Sequence, residues 1–319
     1  MPVRDPAAFE TEALEAIRRA VPSPGKAIIA ASGGIDSTVA AVLVQRALGE
    51  RAQALFVDTG LLREGEAQRT AQLLGDAGVH FELLSRAERF FQALRGVTDP
   101  EAKRKAVGTT FIRIFEEEAA RAGADHLVQG TIAPDWIESG GNLRDTIKTH
   151  HNVGGLPRDL RLKLVEPLRD LYKDEVRALA RHLKVPEADR QPFPGPGLAV
   201  RVVGEVTPDR AALARLACAA VEEEVDRAVS QGVLPRPWQY FATLLPVRTV
   251  GVEGDVRTYG EAVSVRVVDS RDAMTATAMP LPPEVARRLA ERITRASSGR
   301  IIRVLLDLTD KPPATIEWE

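Results

Sequence analysis

The residues best suited to chemistry stand together in one short run, SGGIDST, at positions 32–38. An apolar stretch precedes it and predicts a buried strand, and apolar residues follow Ile35 at the spacing of one helix face. Gly33 and Gly34 let the backbone turn sharply between these elements and approach a ligand closely. N–H groups at the helix start would face an anion, supported by the helix dipole. The run therefore predicts a phosphate-binding site formed by Ser32, Gly33, Gly34, Ile35, Asp36, Ser37 and Thr38.

Asp36 separates this run from the common phosphate loop, in which a lysine reaches the phosphates. A carboxylate beside a polyphosphate makes sense if it holds Mg²⁺, which keeps phosphate oxygens and water among its ligands. The alternative is an ordinary strand–glycine–helix turn in which Asp36 and Ser37 cap the helix. The run by itself leaves both interpretations open.

The surrounding sequence predicts an α/β domain that would position this run. Strand-like apolar runs recur at residues 54–57, 81–84, 126–129 and 162–165, and helical patterns lie at 7–20, 64–77, 88–95, 103–122 and 173–183. Such alternation argues for a parallel sheet with helices on both faces. Ligands of these sheets bind beyond the carboxyl ends of the strands, where residues 32–37, 58–60 and 130–132 fall.

A second, smaller α+β domain is expected after the proline- and glycine-rich residues 186–197. We therefore divide the chain into domains at residues 1–197 and 198–319. In the second domain the pattern predicts helices at 209–230 and 284–297, with strands at 242–250, 262–268 and 301–306.

The bulk composition excludes several classes of protein. The formal net charge of −2 and the pI near 6.3 give no footprint for nucleic acid or for a membrane surface. A single cysteine, Cys218, rules out a disulfide framework within the chain and fits a reducing cytosol. No apolar run approaches the roughly 20 residues of a transmembrane helix, and no signal-peptide pattern opens the chain. We expect a cytoplasmic protein with Cys218 buried and inert.

Residues 131–155 have no regular pattern, and a stretch of this kind in a compact domain is normally functional or disordered. It carries several chemistry-bearing side chains and a Gly-Gly pair suited to the hinge of a lid. His150 and His151 could suggest a metal site, but adjacent side chains diverge and no third histidine or cysteine accompanies them. We therefore do not expect structural zinc.

The SGGIDS run resembles the signature of the N-type ATP pyrophosphatases, which cleave ATP between its α and β phosphates. Five further segments are similar to the ATP pyrophosphatase part of the GMP synthase family. They extend to the last residue: DPEAKRKAVG at 99–108, QGTIAPDWIES at 129–139, IKTHHNVGGLP at 147–157, PFPGPG at 192–197 and KPPATIEWE at 311–319. The stretch between residues 139 and 147 is shorter than is typical of the family.

The resemblance implies roles in ATP chemistry for particular residues. Val57 would lie at the strand end that lines the adenine and ribose pocket, and we assign Gly130, after another strand, to the same ATP site. Asp36 would hold Mg²⁺, and Asp135 and Glu138 would help to organise Mg²⁺ and substrate. Lys148, on a mobile lid, would neutralise charge that develops on the α phosphate.

The resemblance also implies a binding site for XMP. Its residues would be Arg104, Pro134, Arg201, Lys311, Thr315, Ile316 and Glu317. Without the resemblance, residues 103–105 (Lys-Arg-Lys) would be interpreted as a solvated basic face, and the tail 311–319 as a fraying end.

The implied reaction is XMP + ATP + ammonia → GMP + AMP + pyrophosphate. Many family members carry a glutaminase domain with a cysteine nucleophile ahead of this region, whereas here residues 5–17 lead directly into the first strand. We therefore expect free ammonia, or a separate glutaminase subunit, as the nitrogen source. The family's second domain forms a homodimer, and we expect a homodimer here.

Other interpretations stay open. NAD synthetase or argininosuccinate synthetase would share SGGIDS but should lack the IKTHHN and KPPATIEWE segments. A tRNA-thiolating relative should have several cysteines and a basic face. From a different class, the chain could be a catalytically silent nucleotide-binding subunit, against which the retained Asp36, Lys148, Lys311 and Glu317 argue.

Overall fold

The computed structural model describes residues 5–133, 162–186, 191–271 and 273–319. The chain forms two compact units, each assembled from separate stretches. The first unit comprises Met1–Thr59, Gly65–Phe90 and Lys105–Asp189, and the second comprises Gly60–Glu64, Phe91–Arg104 and Arg190–Glu319. The predicted domain boundary after residue 197 stays a prediction.

The first unit contains a five-stranded parallel sheet flanked by helices. The strands are β1 (Ala27–Ala30), β2 (Ala52–Asp58), β3 (Phe81–Ser85), β4 (His126–Val128) and β5 (Lys163–Val165), and their order is β3-β2-β1-β4-β5. Among the described residues, the helices in this half of the chain are Pro6–Ala20, Ile35–Leu48, Glu66–Asp76, Ala87–Leu94, Pro100–Ala122 and Lys173–Leu183. The predicted α/β fold is confirmed, with element ends displaced by a few residues.

The strand order reverses beside β1. The chain builds β1, β2 and β3 outward in one direction and then returns to place β4 and β5 on the other side of β1. Ala27, Ile28 and Ile29 of β1 are almost wholly buried, as expected for the central strand of a covered sheet. The crevice at such a reversal is where ligands bind in open α/β sheets. The SGGIDS run follows β1 and Gly130 follows β4, so both lie at this position.

The second unit is the predicted smaller α+β structure. Strands β6 (Gln239–Glu253) and β7 (Val256–Asp269) form a long antiparallel hairpin, and β7 also pairs with the short β8 (Thr277–Ala278) and, in parallel, with β9 (Ile301–Asp307). Helix Pro208–Ser230 packs against β6 and against helix Pro283–Ala296. Strand β8 was not predicted, because two residues carry no periodic signal.

Across the described ranges, none of the helices combines the length and apolar character needed to cross a bilayer.

Candidate functional site

The loop after β1 is held in shape by its own hydroxyl groups. Ser37 Oγ accepts a hydrogen bond from the Ser32 N–H at 3.1 Å and donates one to the Gly34 carbonyl at 3.0 Å. Thr38 Oγ1 donates to the same carbonyl at 2.9 Å, and Ser32 Oγ lies 2.9 Å from Ser37 Oγ. These side chains therefore fix the turn.

Glycine is required at the turn itself. Gly33 has φ of +79°, and a Cβ at this position would lie 2.5 Å from Thr70 Oγ1. Gly34 is the N-cap of helix Ile35–Leu48 and no side chain caps that helix, so the alternative in which Asp36 and Ser37 serve as caps is wrong. The first N–H groups of the helix have no intrahelical acceptor and, with the helix dipole, favour a negative ligand.

Gly130 lies against the first turn of the same helix. A Cβ on Gly130 would be 2.8 Å from the backbone nitrogen of Ser37 and 2.9 Å from the carbonyl carbon of Asp36. Real Cβ atoms essentially never come this close to backbone atoms, so only glycine fits. The end of β4 and the loop after β1 are thus held in direct contact, and the assignment of Gly130 to the ATP site stays a prediction.

The two carboxylate oxygens of Asp36 differ in their surroundings. Its Oδ2 lies 2.6 Å from Nζ of Lys173, the first residue of helix Lys173–Leu183. Its Oδ1 is buried and has no hydrogen-bond partner within the described part of the chain. An unsatisfied carboxylate oxygen beside an anion site fits Mg²⁺, which prefers hard oxygen ligands. The described residues include no cluster of three or more His, Cys, Asp and Glu side chains.

The other residues predicted for this site divide into two groups. Val57 is 4% exposed and lies near the carboxyl end of β2, paired with Leu84 of β3. Asp135, Glu138 and Lys148 lie outside the described ranges, and so does Pro134, which was predicted for the XMP site. His150 and His151 also lie outside them.

In the second unit, the predicted XMP residues Arg201 and Glu317 contact each other. Arg201 lies in the short 3-10 helix Gly197–Arg201 and is fully buried; its Nε and Nη2 donate to the two carboxylate oxygens of Glu317 at 3.1 and 2.9 Å. Its guanidinium carbon lies 4.2 Å from the ring centroid of Phe241. Burial disfavours the charged form, but the Glu317 carboxylate outweighs it and holds the pKa of Arg201 above its ordinary value.

Arg104 and its neighbour Lys103 contact the end of the tail. Arg104 is 8% exposed and donates through Nη2 to the backbone oxygen of Glu319 at 2.5 Å. Lys103 is fully buried and its Nζ contacts the Glu319 carboxylate. Burial lowers the pKa of Lys103, and the Glu319 carboxylate opposes that shift. Of the three basic residues, only Lys105 is exposed, so the interpretation as a solvated face is wrong for Lys103 and Arg104.

The tail itself is ordered by several contacts. Lys311 pairs through its backbone with Ala276, and its Nζ donates to the Ala273 carbonyl at 2.9 Å. The carbonyl of Thr315 accepts a hydrogen bond from the buried Arg266 at 2.9 Å, and Ile316 is only 7% exposed. The interpretation of this segment as a fraying end is therefore wrong.

Three residues contact predicted site residues or the tail, although the sequence did not assign them to the ATP site or to the XMP site. Gln239, the first residue of β6, donates through Nε2 to Glu317 Oε1 at 2.9 Å, and nothing in the sequence singled it out. Lys173 is the first residue of its helix, where the helix dipole disfavours a cation. A lysine at such a position indicates that a nearby anion stabilises it, and this could have been inferred from the sequence. Lys103 falls on the buried face of its helix, four residues before Val107, which was a second signal.

Cys218 is buried, as predicted. Its Sγ lies 3.2 Å from the Ala242 carbonyl, to which the thiol donates. Burial raises the pKa of this thiol above its ordinary value, although the nearby Arg201 opposes the shift. Such a thiol is poorly suited to act as a nucleophile.

A parallel sheet with a glycine-rich turn at its reversal point is typical of nucleotide-binding α/β proteins. Comparison with known proteins is more specific. Residues 226–318 match the family model described as the GMP synthase C terminal domain. A protein of Thermococcus kodakarensis, named as the B subunit of GMP synthase (glutamine-hydrolyzing), is 57% identical over 314 residues, which cover 98% of this chain and 99% of the relative.

Proteins of the same name from Methanopyrus kandleri and Methanosarcina acetivorans are similar over nearly their whole length. The first is 54% identical over 318 residues, covering 99% of both chains, and the second is 51% identical over 317 residues, covering 98% of this chain and 99% of the relative. The chain therefore belongs to the family of GMP synthase B subunits. It is an enzyme of the ligase class with a synthetase role in GMP synthesis. This family membership argues against the four alternatives raised from the sequence, which were NAD synthetase, argininosuccinate synthetase, a tRNA-thiolating enzyme and a catalytically silent subunit.

Proposed function

We propose that this chain converts XMP to GMP in two steps, with ATP and ammonia as the other reactants. In the first step the 2-oxygen of XMP bonds to the α phosphorus of ATP, the bond between the α phosphorus and the bridging oxygen breaks, pyrophosphate leaves, and a ring N–H proton beside C2 passes to solvent. In the second step the ammonia nitrogen bonds to C2, the C2–O bond breaks, AMP leaves and a proton passes to solvent. Family membership supports this reaction.

The observation that carries the proposal is Oδ1 of Asp36, which is buried at the loop after β1 and has no hydrogen-bond partner among the described residues. The N–H groups of residues 35–37 would hold the phosphates of ATP, and Val57 and Gly130 would lie at the edge of that site. Mg²⁺, when bound through Asp36, would neutralise phosphate charge. Asp135 and Glu138 would assist in holding it, and Lys148 would stabilise charge on the α phosphate during transfer.

XMP would bind to the second unit through Arg104, Arg201, Lys311, Thr315, Ile316 and Glu317, and Pro134 is assigned to the same ligand by the family resemblance. The cations suit the 5′-phosphate, and the carboxylate of Glu317 can accept hydrogen bonds from the base or the ribose. Gln239 belongs with this group, because its amide contacts Glu317 and can bond a base edge or a ribose hydroxyl. The protein's contribution would be mainly positioning and electrostatic stabilisation.

Ammonia would come from a separate glutaminase subunit, since the relatives are named as the B subunit of a glutamine-hydrolyzing enzyme. We further propose a cytoplasmic homodimer, as the family resemblance implies.

The test is a turnover assay on the purified chain with ATP, Mg²⁺, XMP and ammonium, in which GMP and pyrophosphate are both quantified. We expect equal amounts of the two products, and no GMP when glutamine replaces ammonium. GMP formation from glutamine alone would contradict the need for a separate glutaminase. Pyrophosphate release without XMP, or no product from any mixture, would contradict the proposed reaction.

A further inference from the structure

Lys103 is a fully buried cation that the proposed chemistry does not use. Its Nζ donates to the Val202 carbonyl at 2.7 Å, lies 3.4 Å from the Ala199 carbonyl and contacts the Glu319 carboxylate. A buried ammonium is costly unless its charge is paired and its donors are bonded, and here both conditions are met.

The three segments that meet at Lys103 each carry a residue proposed to bind XMP. The helix that begins at Pro100 carries Arg104 next to Lys103 itself. The carbonyls of Ala199 and Val202 flank Arg201 in the chain. The tail carries Glu317 two residues before Glu319.

Glu319 is held on both sides. Its second carboxylate oxygen accepts from the Gly204 N–H at 3.2 Å, its backbone oxygen accepts from Arg104, and its side chain is 5% exposed. This arrangement fixes the register of the tail relative to Arg201, so that Glu317 meets the Arg201 guanidinium through two hydrogen bonds.

We propose that Lys103 and Glu319 form a latch that positions the XMP-binding residues, with Lys103 and Glu319 as positioning residues that do not touch XMP. The proposal rests on the proposed function, because it assumes that XMP binds through Arg104, Arg201 and Glu317. It assigns to Lys103 a role that a solvated basic residue could not have. A pre-formed site loses less conformational freedom on binding, so the latch should act on XMP affinity.

The main test variant is Glu319→Gln, which keeps the shape of the side chain and removes its charge. We expect the KM for XMP to rise about tenfold or more, because a charge-assisted hydrogen bond is lost. The KM for ATP and kcat should stay within about twofold, since the ATP site lies in the first unit. Asp209→Asn is the matched control: it removes the charge of an exposed ion pair with Arg300 in the same unit, and we expect no change.

Hydrogen exchange of a peptide covering residues 311–319 provides a readout that does not depend on turnover. Glu319→Gln should speed exchange in this peptide, whereas Asp209→Asn should not. Lys103→Met should have the same two effects, and Lys103→Met combined with Glu319→Gln should raise the KM for XMP by less than the product of the single effects. Thermal unfolding of each variant shows whether it is folded.

The outcomes separate the latch from the proposed function. Absence of GMP from the unmodified chain would contradict the proposed function, while hydrogen exchange would still test the latch. An unchanged KM for XMP in Glu319→Gln, or equal rises in the KM values for XMP and ATP, would overturn the latch. So would unchanged exchange of the tail peptide.

Discussion

Replacing Gly130 by alanine tests whether the end of β4 and the loop after β1, proposed to bind phosphate, must be in direct contact. The added Cβ would stand 2.8 Å from the Ser37 nitrogen and 2.9 Å from the Asp36 carbonyl carbon, where ordinary contacts begin near 3.4 Å. Both atoms belong to the backbone of a helix start, so a side-chain rotation cannot relieve the overlap. The loop and the strand end must therefore separate by about half an ångström.

The expected cost of this overpacking is about 1–3 kcal/mol of stability. For a unit of this size, each kcal/mol corresponds to roughly 2–4 °C in Tm. Displacement of the loop should also lower the catalytic efficiency of the enzyme, because a misplacement of about 1 Å can cost about a hundredfold in rate. We expect kcat/KM for ATP to fall about tenfold or more, with little change in the KM for XMP.

Gly75→Ala is the matched control. Gly75 lies in helix Glu66–Asp76 with an ordinary helical conformation, and no atom of the described residues lies within 4 Å of its would-be Cβ. Alanine should raise stability there by about 0.5–1 kcal/mol and leave kinetics unchanged. For both variants, Tm would be measured by calorimetry in the absence of nucleotide, and kcat/KM for ATP would be measured by steady-state kinetics. If Gly130→Ala matched Gly75→Ala in both Tm and kcat/KM for ATP, the inferred contact would be refuted.

Three further predictions concern the charged and titratable groups. Asp36→Asn should lower kcat about a hundredfold or more and weaken the response to added Mg²⁺, because Oδ1 would no longer carry charge; an unchanged Mg²⁺ titration would contradict its role as a ligand. Glu317→Gln should destabilise the second unit by about 3 kcal/mol, since Arg201 stays buried without its carboxylate partner. Hydrogen exchange in helix Pro208–Ser230 would measure this loss of stability, and protection equal to that of the wild type would contradict the prediction. Cys218 should resist a disulfide reagent at pH 8 in the folded protein and react on unfolding, because burial raises the pKa of its thiol and leaves little thiolate at that pH. Rapid labelling of the native protein would be inconsistent with this burial.

The parts of the structure that local sequence controls could be predicted. The alternation of apolar strands with amphipathic helices indicated the parallel sheet, because each element carries its own periodicity. The position of the SGGIDS run at a strand end follows from the same pattern, and the two glycines indicate a turn that other residues could not make. Strand order is not a local property, so the reversal between β1 and β4 became visible only in the folded chain.

Pairs that are distant in sequence could not be predicted. Lys173 is 137 positions from Asp36, and Arg201 is 116 positions from Glu317. No periodicity links residues at such separations, and a lysine or a glutamate looks alike in sequence whether it is solvated or paired. The resemblance to a known family named Arg201 and Glu317 as ligands of the same substrate, but it did not indicate that they bond to each other.

The order of the tail, residues 311–319, follows from the free-energy cost of burying charged side chains. Lys103, Arg201 and Arg266 are fully buried in the second unit, and each contacts an acceptor within residues 315–319. A buried cation is stable only if its partners are present, and removing one partner costs several times more than an exposed pair contributes. The acceptors on the tail therefore belong to the core of this unit in an energetic sense, although the tail has no regular secondary structure. A segment bound in this way can present Glu317 and Lys311 in a fixed geometry, which a freely moving end could not do.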